Sequence, residues 1–259
     1  MPELPDLEVF ARNLEKRFKN KRLRELEVMV AKKLNVTVTE LKAAIQGQEL
    51  KQVLREGKTL QLHFENGAVL GLHLMLHGEL QLLEPGQQVK HQIISLRFST
   101  GDGFVLTDFQ KAATPTLNPK ASDVPDALAK EMNLDYFSSL LSKRRTPIKT
   151  VLMDQKSLRG IGNTYADEIL WQAGISPFSI AKAIPDVKVK ALHKAIGVVL
   201  NKEVLQIEKQ LDGAIFGEIH DFLKIHRADL ISSPGGAEIK VKAIGGRKAY
   251  FTDEQQLYE

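Results

Sequence analysis

Between Leu60 and Leu106 several short runs place apolar residues on every second position, whereas beyond Leu134 runs with steps of three and four take over. A two-residue period lines one face of a strand and a 3.6-residue period lines one face of a helix, so the chain divides into a sheet-rich part and a helical part. Leu60, Leu62 and Phe64 alternate with polar residues, Asn66-Gly67 supplies a tight hairpin, and Leu70, Leu72, Leu74 and Leu76 resume the alternation. Leu80/Leu82, Ile94/Leu96/Phe98 and Phe104/Leu106 extend it, with breaks at Pro85-Gly86 and Gly101-Asp102-Gly103. The pattern predicts a two-layer sandwich. Ahead of it, Leu7, Phe10, Leu14 and Phe18 predict an amphipathic helix over 7–23.

The stretch from Thr114 to Pro125 contains three prolines and no periodicity, which marks a linker. Helical spacing follows over Leu134–Leu141, Ile148–Met153, Tyr165–Ala173 and Val187–Leu211. Between the second and third of these, Gln155 to Asn163 carries two glycines and an asparagine suited to positive-φ turns, and the adjoining helix N-termini form a ready anion site. Near the end, Ile239, Val241 and Ile244 interleave with Lys240 and Lys242. Gly245-Gly246 then turns the chain into Arg247-Lys248-Ala249-Tyr250-Phe251, a basic hairpin. The expected division is 1–118, 126–228 and 229–259.

Within 259 residues, 43% hydrophobic and 26% charged, no apolar run reaches the roughly 18 residues of a membrane span. Glu3, Asp6 and Glu8 stand where a secretory signal needs an apolar core, so a cytoplasmic location is expected. The absence of cysteine excludes disulfides and thiolate zinc sites. His63, His77, His91, His193, His220 and His226 show no metal-ligand spacing, and Trp171 is read as core. A net charge of +4 fits a polyanionic partner without demanding one.

The first residues, Pro2-Glu3-Leu4-Pro5-Asp6, carry the sharpest chemistry. Removal of Met1 leaves a secondary amine, which attacks a sugar aldehyde to give a cationic iminium, with Glu3 beside it to move protons. The same residues also suit the opening turn of a helix.

PELPDLE at the start, Lys58 on a strand after Arg55-Glu56-Gly57, His73-Leu74 followed by Gly78, Gly160-Ile161-Gly162-Asn163-Thr164-Tyr165-Ala166-Asp167-Glu168, and Gly245-Gly246-Arg247 occur in one order along the chain. Together they resemble the formamidopyrimidine-DNA glycosylase and endonuclease VIII family. The resemblance implies an α+β multidomain fold. It consists of an N-terminal β-sandwich with a flanking helix, a helical helix-two-turn-helix domain and a C-terminal zincless β-hairpin finger. It implies a nucleoid-associated, bifunctional DNA glycosylase and lyase acting on damaged or base-free sites in duplex DNA through a Pro2 Schiff base, with strand cleavage by β/δ-elimination, as a monomer, with no cofactor, metal or membrane. Pro2, Glu3 and Lys58 would be catalytic. His73, Met75, Leu76, Gln110, Lys156, Asn163 and Arg247 would contact DNA, with Lys58, Asn163 and Arg247 gripping the phosphates around a flipped nucleotide.

The chain departs from the family in several places. Family fingers usually hold zinc through four cysteines; here the hairpin is expected to rest on packing of Ile239, Val241, Ile244, Tyr250 and Phe251. Asp6 stands in place of glutamate. Gln110 and Ala112 occupy the positions of an arginine and a phenylalanine that plug the base stack, and Leu76 is either a wedge or core, with Met75 the other wedge candidate. The segment 206–227 is shorter than the usual lesion cap. Cleavage of base-free sites is therefore expected to persist better than excision of a particular oxidised base. A lyase restricted to base-free sites with little glycosylase activity, a non-catalytic DNA lesion-binding protein and a structural nucleic-acid protein, with RNA as one candidate ligand, are the alternatives.

Overall fold

The computed structural model describes residues 1–84 and 86–259, so Pro85 of the predicted Pro85-Gly86 break lies outside the described residues. The chain forms two units, 1–121 with 207–218 and 122–206 with 219–259.

In the first unit α1 spans Leu4–Phe18. Its start is set by Glu3, whose backbone N–H donates to Asp6 Oδ2 at 2.9 Å, and by Pro5 in the first turn, where a missing N–H costs nothing. Leu7, Phe10, Leu14 and Phe18 are buried, and the Phe18 ring stacks on Phe98 at 4.5 Å. The predicted extension to Leu23 does not form. Asn20 takes φ +63°, breaking the helix, and Leu23 opens strand β1 (Leu23–Val28). A short helix α2 (Val38–Ile45), capped by the Thr37 side chain accepting from Glu40 N–H, precedes β2 (Leu50–Glu56).

The alternating run yields β3 (Thr59–Phe64), β4 (Val69–His73), β5 (Glu79–Leu83), β6 (Gln92–Phe98) and β7 (Gly103–Thr107). With β8 (Thr114–Leu117) they make two antiparallel sheets, β1-β6-β7-β5 and β2-β3-β4-β8, sharing one apolar core. Thr114–Leu117 is therefore an edge strand, not linker. It pairs only with β4, and an edge tolerates Pro115 because one side of its backbone needs no partner. The alternation of β4 stops at His73, because Met75 adopts φ +59° and turns the chain outward.

The second unit holds α3 (Leu134–Ser142), α4 (Ile148–Met153), α5 (Asn163–Ala173) and residues 186–206 of the 26-residue α6 (Asp186–Leu211), whose last turn belongs to the first unit, and the hairpin β9 (Lys240–Ile244) and β10 (Arg247–Phe251). Gly245 and Gly246, at φ +57° and +75°, supply its two-residue turn. The hairpin rests on only part of the apolar packing expected of it: Tyr250 and Phe251 make ring contacts, whereas Ile239, Val241 and Ile244 are not fully buried. Val241 is 51% exposed, Ile239 and Ile244 are half-buried, and of the strand residues only Ala249 is fully buried. Phe251 meets Phe178 edge-on at 5.1 Å and Tyr250 lies over His226 at 4.6 Å. Trp171 is half-buried instead of core, because its indole N–H donates to Glu254 Oε2 at 3.0 Å. Among the described residues no helix is long and apolar enough to cross a membrane.

Candidate active site and nucleic-acid contacts

The N-terminus of α1 gathers three carboxyl groups in the first unit. Pro2, Glu3 and Asp6 are buried, and the Met1 ammonium lies 2.6 Å from Glu218 Oε1. Burial pushes the Asp6 carboxyl up to about 8, the Glu3 backbone N–H opposing this and the negative charges of Glu218 and Glu3 adding to it. Its Oδ1 has no hydrogen-bond partner. Glu3, at the head of a helix, occupies a position where a carboxylate is favoured by the helix dipole.

Lys58 does not lie on a strand. Glu56 pairs with Thr59 as the last rung of β2 and β3, and Gly57 at φ +59° with Lys58 makes the two-residue turn between them. Arg55 braces this turn: its Nε donates to Glu8 Oε2 of α1 at 2.9 Å and its Nη1 to Gly57 O at 3.1 Å. The turn that presents Lys58 is thus tied to the helix that presents Pro2 and Glu3. The contact joins residues 47 positions apart, a separation that carries no local sequence signal. His73, opposite Thr59 on β4, is held below its ordinary pKa, first by burial and then by the Lys58 charge. Its Nδ1 accepts the Met75 N–H at 3.1 Å, which places the proton of the neutral ring on Nε2.

Beyond His73 the loop presents Met75 and Leu76 at 38% and 53% exposure, so Leu76 is not core. A second loop is shaped by Asp108, whose buried carboxylate accepts from the backbone N–H of Gln110, Ala112 and Ala113, each at 2.8 Å. It leaves Gln110 exposed and Phe109 at 58% exposure, the Phe109 ring 4.7 Å from that of His77. Leu76, His77, Gly78, Asp108, Phe109 and Glu218 line one concavity of about 490 Å³. A larger one, of about 1240 Å³, involves Arg24, Glu27, Arg97 and Lys111 and shares none of these six residues. Phe109 and Glu218 went unremarked in the sequence, since an isolated aromatic or carboxylate has no pattern.

In the second unit the predicted turn is built differently from its glycine content. Gly160 takes φ +101°, but Gly162 is the extended N-cap of α5 and Asn163 is the first helical residue. The Gln155 side chain holds the loop, donating to Met153 O and Ile161 O and accepting from Gly160 N–H at 3.0 Å. Half-buried Asn163 leaves its Oδ1 without a hydrogen-bond partner at the positive end of the helix, and Lys156 is exposed on the same loop. Arg247 is exposed, directly after the hairpin turn, where it pairs with Ile244. Among the described residues no group of three or more metal-ligating side chains occurs.

Residues 1–114 match the formamidopyrimidine-DNA glycosylase N-terminal domain and residues 124–212 the formamidopyrimidine-DNA glycosylase H2TH domain. A formamidopyrimidine-DNA glycosylase of Streptococcus agalactiae serotype III is 32% identical over 220 residues, spanning 81% of this chain and 79% of the relative. That of Lactobacillus gasseri is 28% identical and matches over the full length of both chains. The Lactococcus lactis enzyme crystallised with DNA containing a formamidopyrimidine guanine superposes with a TM-score of 0.87 at 25% identity, covering 98% of this chain and 100% of that one. Two domain matches in order, relatives spanning the chain and a shared fold place this protein in the formamidopyrimidine-DNA glycosylase family.

Proposed function

We propose that the protein is a base-excision repair enzyme, a bifunctional DNA glycosylase and base-free-site lyase, that works through the Pro2 amine. The observation that carries this reading is Pro2-Glu3 at the head of α1, a proline that becomes a secondary amine when Met1 is removed and stands beside a buried carboxyl, in a chain of this family. Once Met1 is trimmed, the Pro2 nitrogen forms a bond to C1′ of the flipped deoxyribose and the bond from C1′ to the damaged base breaks. The electron pair of that bond leaves with the base, which takes a proton from solvent, while Glu3 accepts the proton shed by the Pro2 nitrogen and delivers it to O4′ as the sugar ring opens, leaving an iminium between Pro2 and C1′. That cation acidifies the C2′ proton, and its loss expels the 3′ phosphate and cuts the strand. Water then releases the sugar and regenerates the amine.

Lys58 at its turn, Asn163 and Lys156 at the N-terminus of α5, and Arg247 after the hairpin turn serve as phosphate contacts. His73 supports the Lys58 turn, and Met75, Leu76 and Gln110 meet the bases. Gln110 lacks an arginine's charge and Ala112 an aromatic ring, which supports relaxed discrimination of the opposite base and a preference for base-free sites. The Lactococcus lactis relative has been crystallised with DNAs containing an abasic site, a FAPY-dG or an oxidised pyrimidine, which supports action on damaged duplex DNA and is neutral on that preference. The enzyme acts as a cytoplasmic monomer without a cofactor in this reading. Borohydride trapping on duplex DNA with one base-free site tests it. A covalent adduct mapping to Pro2, lost in Pro2→Gly, is expected; duplex binding without an adduct in Met1-free protein would leave a lesion-binding protein instead.

A further inference from the structure

The hairpin that carries Arg247 has little apolar packing beyond Ala249, Tyr250 and Phe251, and among the described residues no group of three or more metal-ligating side chains occurs. The chain has no cysteine, and residues 240–251 include no histidine, aspartate or glutamate, so the donor set does not fit the metal found in many fingers. A buried ion pair stands against it instead. Lys149 Nζ on α4 and Asp167 Oδ1 on α5 are 2.7 Å apart, and both side chains are fully buried. Lys149 Nζ also donates to Lys248 O at 2.7 Å, and Asp167 Oδ2 accepts the Tyr250 N–H at 2.9 Å. The same Oδ2 lies 2.7 Å from His226 Nδ1.

The geometry explains why these contacts select one position for the hairpin. β10 pairs only with β9, so one of its edges has no strand partner. Lys248 O and Tyr250 N–H, two residues apart, lie on one edge, as the strand's period of two requires. The cation meets the acceptor and the anion meets the donor, with Ala249 buried between them. A one-residue slip would present the wrong groups to both charges, and in a low-dielectric interior an unmet charge is far costlier than an unmet apolar contact. Apolar packing is less directional and specifies register less sharply.

We propose that Lys149 and Asp167 are positioning residues that fix β10 against α4 and α5, alongside the ring contacts of Tyr250 and Phe251, and thereby set where Arg247 meets a DNA phosphate. This rests on the reading of Arg247 as a phosphate contact. Neither residue touches DNA in this proposal; both act through the hairpin backbone.

The test is binding of the full-length protein to a duplex with one tetrahydrofuran site, as a function of salt. Arg247→Ala is expected to lower the slope of log K against log salt by about one, as for the loss of one phosphate contact. Asp167→Asn should lower it equally, and should add nothing in the Arg247→Ala background while adding fully to Asn163→Ala. Because Asp167→Asn leaves Lys149 buried without its counter-charge and is prone to unfold, the double variant Lys149→Met with Asp167→Leu is the second arm. The apolar pair leaves no lone buried charge, so the double variant should still fold cooperatively; Lys248 O and Tyr250 N–H lose their partners, so it should melt below wild type and lose the same single contact. A folded double variant with the wild-type slope would overturn the proposal. An unchanged slope in Arg247→Ala would instead overturn the phosphate reading on which it rests.

Discussion

Asp6 Oδ2 accepts the backbone N–H of Glu3 at 2.9 Å, so the residue beside the reactive amine is held by a carboxyl that burial keeps protonated to about pH 8. The unfolded chain releases that proton near pH 3.9. Between those values the folded state binds the extra proton, so Asp6 lowers stability progressively as pH rises from about 4 to about 8, and the loss levels off above that. Asp6→Asn keeps an acceptor for the Glu3 N–H and removes the titration. Relative to wild type, its urea midpoint should be near parity at pH 4–5 and higher at pH 8. A difference that does not change with pH would refute the assignment of the proton to Asp6.

Met1 covers the nitrogen on which the chemistry depends and pairs with Glu218 at 2.6 Å. Any residue retained ahead of Pro2 converts its nitrogen to an amide, which cannot form an iminium. Protein carrying one uncleaved N-terminal residue should give no borohydride adduct, while duplex binding stays within about twofold because the phosphate contacts are untouched. Mass spectrometry of the N-terminus must accompany the assay. An adduct on blocked protein would move the nucleophile away from Pro2.

Leu76 and Phe109, at 53% and 58% exposure, contribute little to the core. Substituting either by alanine should change folding stability by no more than about 0.5 kcal/mol. Loss of an aromatic surface that stacks on a base costs about 1–3 kcal/mol of binding, so Phe109→Ala should weaken duplex affinity roughly 5- to 150-fold if its ring meets a base. Equal affinity for wild type and Phe109→Ala would leave that ring serving only His77.

Gly78 approaches the backbone of Leu74 so closely that a Cβ would lie 2.0 Å from the Leu74 carbonyl oxygen, the acceptor of the Gly78 N–H. Gly78→Ala must open the loop that presents Met75 and Leu76. The expected result is a stability loss of about 1–3 kcal/mol together with weaker DNA binding, read by thermal melting and gel shift. Normal binding by a destabilised variant would show that loop geometry does not matter to DNA.

Local features were readable from residue order. Alternation from Leu60 to Leu106 and helical spacing beyond Leu134 marked the sandwich and the helices, because strand and helix periods depend on backbone geometry alone. Gly245-Gly246 likewise marked its hairpin, since few other residues accept two successive positive φ values. Where the period misled, at Leu23, Leu76 and the Thr114–Leu117 edge strand, a single positive-φ residue or a neighbouring strand overrode it. Pro2, Glu3, Asn163 and Arg247 could be singled out by motif, and their chemistry follows from residue type. The supports of the candidate site could not. Glu8 to Arg55 to Gly57 O, and Lys149 to Asp167 to β10, join residues tens of positions apart, and which charge ends up buried beside which backbone group is settled only when distant elements pack. Asp6 shows the same division: its place in the first turn is written in the sequence, whereas its protonation is decided by the burial that folding imposes.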